Sequence, residues 1–168
     1  MEDIKHDSAR IVGKVISRYK DPKTGEYIPG SEQVDYNKLV DGGAVELVKW
    51  LANSTPVAAG AFHHVGIGST ATAAAHGNTA LGAEYSAGGY ARIIGTQSVQ
   101  AESSYGNKVY QVIAEFPAVT GRSAVAEMGI FDAATTGTML IRLVFSPVRD
   151  NESNTLEITY KLTIEPVP

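Results

Sequence analysis

Apolar and polar residues alternate without interruption near the end of the chain. Leu156, Ile158, Tyr160, Leu162 and Ile164 fall on one face, and Glu157, Thr159, Lys161 and Thr163 on the other. This two-residue period predicts a β-strand with one buried and one wet face. Shorter apolar runs bounded by turn residues predict further strands over 62–68, 91–102, 108–116, 124–131 and 139–145. Residues 8–19 differ, with Ile11, Gly13, Val15 and Ser17 on one face and Val12, Lys14, Ile16 and Arg18 on the other. Apolar groups on both faces predict a strand covered on both sides, the second cover being a neighbouring subunit.

One segment carries the helical period instead. Ala44, Leu47, Val48 and Leu51 recur at i, i+3, i+4 and i+7 behind Asp41 as N-cap, and Val45 and Trp50 widen the apolar side. Pro56, closing Asn53-Ser54-Thr55-Pro56, forbids continuation, so a helix over 41–52 is expected to pack on a sheet. Turn chemistry marks Asp21-Pro22-Lys23-Thr24-Gly25, Tyr105-Gly106-Asn107 and Thr135-Thr136-Gly137. Between the first turn and about Asn37 there is Pro29-Gly30 and little periodicity, which reads as an excursion over the surface. Short strands joined by turns, with one early helix, predict a mainly β chain. The expected architecture is an antiparallel β-sandwich over 39–168 with one short amphipathic helix, preceded by an extended N-terminal arm over 1–38. The Ala/Gly-rich loop over 69–89 has too few large side chains for a core of its own.

Composition narrows the partners. At 168 residues the chain is one domain, long enough to bury roughly 70% of its unfolded surface. Fourteen Lys and Arg against eighteen Asp and Glu leave a formal net charge of −4, without the basic patch that nucleic-acid binding requires. There is no cysteine, so neither a disulfide framework nor a thiolate metal site is available. No apolar run approaches the length of a membrane span, and no apolar stretch follows Met1-Glu2-Asp3 as in a secretory signal. Neither nucleic acid nor membrane is expected as a partner.

Candidate chemistry is sparse. Gly66-x-Gly68-x-x-Ala71 matches the looser dinucleotide fingerprint, but His76-Gly77-Asn78 cuts off any following helix and no βαβ alternation follows. A tight β-turn is the better reading. His63 and His64 are adjacent and, on a strand, would point to opposite faces, so they would not chelate one ion together. Glu115, Glu127 and Asp132 could be imagined as paired carboxylates for glycoside hydrolysis. The more ordinary role for Glu127 and Asp132, which bracket Met128-Gly129-Ile130-Phe131, is to tie turns and strands together. Gly129, inside a strand, marks a close backbone approach, with Phe131 buried beside it. No cofactor, no metal within one chain and no catalytic activity are expected. Eight tyrosines against four phenylalanines suit a half-buried interface or a sugar-binding face.

The motifs together resemble a known group. Asp41-Gly42-Gly43, His64-Val65-Gly66-Ile67-Gly68, Thr79-Ala80-Leu81-Gly82-Ala83-Glu84 and Glu127-Met128-Gly129-Ile130-Phe131-Asp132 occur in that order. They are similar to bacteriophage tail-collar and tail-fibre attachment domains, which show a Val-Gly-x-Gly strand end, a Thr-x-Leu-x-x-Glu loop and a Glu-x-Gly-Leu-Phe-Asp strand. The resemblance spans roughly residues 39–146. It implies a virion component of the tail collar, neck or baseplate type, made in the bacterial host and assembling with other virion proteins and with itself. The extra arm and the lack of a repetitive stalk before Pro168 suit a stand-alone piece, with capsid decoration and a carbohydrate-binding module as the other readings. The assembly residues expected on this basis are Ile11, Val12, Val15 and Ile16 of the arm, with Gly66, Gly68, Gly129, Phe131 and Asp132 shaping the sandwich.

Overall fold

The computed structural model describes residues 8–51, 61–87, 89–102, 106–118, 124–149 and 152–167. Ten strands and one helix follow in chain order: β1 (Ser8–Lys20), β2 (Gln33–Tyr36), β3 (Lys38–Leu39), α1 (Asp41–Leu51), β4 (His64–Gly68) and β5 (Ile93–Ile94). Then come β6 (Thr96–Glu102), β7 (Gly106–Phe116), β8 (Val125–Phe131), β9 (Met139–Arg149) and β10 (Thr155–Val167). They form two five-stranded sheets, ordered β2-β1-β10-β7-β6 and β3-β9-β8-β4-β5. Every pairing is antiparallel. The predicted β-sandwich is present.

The core lies between the sheets. From the first sheet it takes Val15, Val112, Ala114, Phe116, Leu156, Ile158 and Tyr160, and from the second Val65, Ile67, Met128, Ile130, Ile141 and Leu143. In β10 alternation alone selects the inward positions; in the continuous apolar runs of β8 and β9 the pleat decides which residues face the other sheet. Residues 91–102 form two strands rather than one. At Gly95 the chain leaves the second sheet for the first, and a Cβ there would collide with Val112. Two of the three turns fall where expected: Gly25 and Gly137 have φ of 73° and 76°, and the Asp21 carboxylate accepts hydrogen bonds from the Lys23 and Thr24 N–H groups. Of the third, Gly106 and Asn107 begin β7 and Tyr105 lies outside the described residues.

Four readings are corrected. First, residues 8–20 are not a detached arm but a strand of the first sheet. β1 pairs with β10 from Ser8↔Val167 to Lys20↔Thr155, and β2 covers its other edge from Lys14 to Ser17. Val15 is buried between the sheets, whereas Val12 and Ile16 are half-buried on the outer face and Ile11 is exposed. Second, the supposed excursion contains the short strand β2 of the first sheet, and β3 of the second sheet follows directly after it. Third, β10 does not have one buried and one wet face: Glu157, Thr159 and Thr163 are buried on the outer side, while Ile164 is exposed. Fourth, the helix seats itself differently. A Cβ on Gly43 would land on the Leu140 backbone, so α1 lies against β9 through its glycine, and Val48 of the expected stripe is 64% exposed. The segment Asn53-Ser54-Thr55-Pro56 and the Trp50 side chain lie outside the described residues.

Candidate assembly site

The expected glycines meet on the outer face of the second sheet. Gly66 of β4 stands directly opposite Gly129 of β8, leaving a shallow trough where two side chains would otherwise project. A Cβ on Gly66 would lie 3.0 Å from Glu84 Oε1 and 3.1 Å from the Phe131 ring; one on Gly129 would lie 3.1 Å from Leu81. A Cβ on Gly68 would lie 2.5 Å from the Ala83 carbonyl oxygen. Gly66 and Gly68 are therefore strand residues, not a β-turn. They keep the sheet bare so that the returning loop can lie flat on it.

That loop is bound by charged groups from the strands beneath. Glu127, fully buried, accepts hydrogen bonds from the Gly82 N–H at 3.1 Å and the Ala83 N–H at 2.8 Å. Its other partner is Arg142 on β9, whose Nε lies 2.8 Å away. The same guanidinium donates to the Thr72 carbonyl at 3.0 Å, the Ala73 carbonyl at 3.3 Å and Asn78 Oδ1 at 3.0 Å. Arg142 thus satisfies loop carbonyls while Glu127 satisfies loop N–H groups, so both ends of one buried ion pair hold the same loop. Further along, Arg92 makes a two-pronged pair with Glu84 (2.6 and 3.0 Å) and donates to the carbonyls of Ala133 and Thr136. Its guanidinium carbon sits 3.3 Å from the centroid of the Phe131 ring, a cation–π contact. Asp132 Oδ1 accepts from the Thr138 N–H at 2.7 Å and closes the β8–β9 hairpin.

Phe131 is buried, but not between the sheets. With Val40, Leu81 and Met139 it forms a second apolar cluster under the loop. Phe131→Ala is expected to cost about 3–5 kcal/mol in denaturant unfolding, because loop, ring and guanidinium lose a common support. A loss below about 1 kcal/mol would mean that the loop re-seats without the ring.

His63 and His64 do not diverge as a strand period requires. β4 begins at His64, so His63 lies outside the alternation and the rings stack at 4.6 Å. Both Nδ1 atoms are buried without a hydrogen-bond partner among the described residues. Burial, then His63 and the Arg92 guanidinium, hold the His64 imidazole below its ordinary value of 6.5, against the opposing pull of Asp132. A folded-state value below the unfolded one means that this contribution is complete above about pH 6.5 and is lost as pH falls toward the folded value. His64→Gln is accordingly expected to lose less thermal stability than the wild type between about pH 7 and pH 5. Equal slopes would exclude His64 as a source of acid sensitivity.

Of the expected assembly residues, the platform gathers Gly66, Gly68, Gly129, Phe131 and Asp132 within one outer face. Ile11, Val12, Val15 and Ile16 belong to the other sheet and contribute nothing to it. Arg92, Arg142, Leu81 and Asn78 complete the platform and were not anticipated. Among the described residues no group of three or more His, Cys, Asp or Glu is placed to hold a metal.

The family described as "Podophage GP4 fiber I protein gp80" matches residues 40–161. The chain belongs to this family. The matched stretch runs from the residue before α1 into β10 and holds the whole platform. The protein is thus a bacteriophage virion structural protein of a fibre family, a coarser assignment than the tail-collar group that the motifs resemble. No curated protein and no solved structure matches the chain.

Proposed function

We propose that this fibre-family protein is a non-enzymatic component of the phage tail, of the collar, neck or baseplate type. It joins other virion proteins and further copies of itself through fixed surfaces. The observation that carries this reading is the platform. Its charged side chains are spent on main-chain groups of two loops: Glu127 on two N–H groups and Arg142 on two carbonyls of the 69–89 loop, and Arg92 on two carbonyls of the β8–β9 turn. Groups engaged in this way hold a loop in one shape. A catalytic carboxylate or guanidinium must instead be open to a substrate.

A rigid, pre-shaped loop surface favours docking, since little conformational entropy remains to be lost on binding. The family match directs that docking to a virion. Labelling the protein with an epitope tag in assembled particles and locating it by immunogold electron microscopy tests the placement. Label on the tail is expected. Label distributed over the head would replace this reading with capsid decoration. Particles that carry none of the protein would remove it from the virion altogether.

A further inference from the structure

The first sheet is longer than the second, and the excess has an unusual composition. Val99 on β6 stands opposite Tyr110 on β7, Tyr110 opposite Leu162 on β10, and Leu162 opposite Gly13 on β1. The Tyr110 hydroxyl donates to the Phe62 carbonyl at 2.8 Å, which marks where the cover supplied by the second sheet ends. Beyond that row the core face of the first sheet continues with Ile11 directly opposite Ile164. Ile11 is 47% exposed, Ile164 50% and Val99 68%. The charged pair at this level, Arg10 and Glu165, lies on the opposite face. The overhang therefore presents apolar groups where the fold would otherwise bury them and charge where it meets water.

Both edges of the sheet are open at the same level. β2 covers β1 only from Lys14 to Ser17, and the Gly13 carbonyl accepts from the Asn37 N–H. Among the described residues nothing pairs with that side of Ser8–Val12. On the far edge, among the described residues, β6 pairs only with β7. Its sequence, Thr96-Gln97-Ser98-Val99-Gln100-Ala101-Glu102, contains neither Lys nor Pro, and the protection this edge carries is a register shift against β7 between Gln100 and Glu102. Successive antiparallel pairings make β6 run opposite to β1. The β6 edge of one molecule is therefore complementary in direction to the β1 edge of another.

We propose that the occupant of this overhang is a second copy of the chain. The Val99–Glu102 stretch of one copy adds antiparallel to the Ser8–Val12 stretch of the next. This is a head-to-tail contact, which gives a ring where the rotation between copies closes and a filament where it does not; the proposal is the closed ring, with the Ile11, Ile164 and Val99 faces turned toward the common axis. Main-chain pairing satisfies the open edges, and mutual cover removes the apolar faces from water. An unrelated partner would have to supply both a strand and an apolar wall at one level; the chain's own ribbon already carries both. The inference deepens the self-assembly part of the proposed function and names its surface.

The chain has no cysteine, so introduced ones report without background. Light scattering on the purified full chain is expected to give one discrete oligomer. The doubly substituted Ile11→Asp, Val99→Asp chain is expected to run as a 17.8 kDa monomer with an unchanged circular dichroism spectrum, since both side chains are exposed in the single copy. Under oxidation the Ile11→Cys, Val99→Cys double variant should give a ladder of covalent species, while either single variant stays uncrosslinked. A monomeric wild type, an oligomer unaffected by the two aspartates, or strong crosslinking of a single variant with itself would each overturn the proposal. If the aspartate chain fails to fold, the crosslinking pattern alone decides. The measurement needs no particle, so its failure leaves the tail placement standing, and head labelling would leave the ring standing.

Discussion

Deletion of residues 1–19 is expected to abolish folding. β1 is an interior strand of the first sheet, and removing it strips β10 of its ladder partner from Ser8↔Val167 to Tyr19↔Leu156. β2 is then left with no strand to pair with, since β1 is its neighbour in the sheet. Val15 and Ser17 are fully buried, so their loss opens the core beside Ile158 and Tyr160. The Arg18–Glu32 pair and the cation–π contact between Arg149 and Tyr19 go with them. Against a net stability of about 5–15 kcal/mol for an ordinary domain, the loss of an interior strand exceeds what can be absorbed. The truncated chain should show no cooperative unfolding transition by near-ultraviolet circular dichroism and should be digested quickly by protease. A cooperative transition near the wild-type midpoint would mean that β10 can serve as an edge strand.

That outcome differs from the one an arm would give, and the reason is physical. Val12 and Ile16 are apolar on the face opposite Val15, which suggested a cover from outside the molecule. In a sheet five strands wide, however, outward side chains of central strands are flanked by neighbours about 4.8 Å away on each side. Glu157 is buried in this way between Lys20 and Tyr27, with Lys20 Nζ 2.7 Å from its Oε2 and the Tyr27 hydroxyl donating at 2.9 Å. Lateral burial of this kind leaves no period in the sequence. β2 and β3 were missed for a related reason, because four and two residues are too few to display alternation.

β10 was legible from its period of two, and β8 and β9 from apolar runs bounded by turn residues. The platform was legible only in part. Its glycines and Phe131 stand out in the sequence, whereas the loop they receive shows only the short Thr79-Ala80-Leu81-Gly82-Ala83-Glu84 motif and no hydrophobic period. One further signal was available. Arg142 interrupts the apolar run Met139-Leu140-Ile141-Arg142-Leu143, and Glu127 interrupts Val125-Ala126-Glu127-Met128-Gly129-Ile130. Single opposite charges inside two apolar strands joined by a hairpin imply a buried pair, since neither could be buried alone. The helix misled through Val48. Its 3.6-residue stripe is real, but Gly43 brings the backbone so close to β9 that the docked face rotates toward Gly43 and Glu46.

The buried pair should dominate the energetics of the platform. Glu127→Ala is expected to destabilise the protein by about 3–5 kcal/mol, because it leaves the Arg142 guanidinium buried without its counter-charge. The Gly82 and Ala83 N–H groups lose their acceptor in the same step. Arg142→Ala should cost a similar amount, leaving Glu127 fully buried without its ion-pair partner. Removing both charges together as Glu127→Gln, Arg142→Met should cost clearly less than the sum of the two single changes. A coupling of about 1–3 kcal/mol in the double-mutant cycle is the expected signature. Disrupting Arg10–Glu165, whose arginine side chain is 68% exposed, serves as the reference and should cost no more than about 1 kcal/mol. The location of the damage is as informative as its size. Limited proteolysis of Glu127→Ala should open the chain first between Ser69 and Glu84, the segment whose main-chain groups the pair holds. Cleavage elsewhere first, or additive single changes, would show that the loop is held by Leu81 and Phe131 packing and that the ion pair is incidental to the platform.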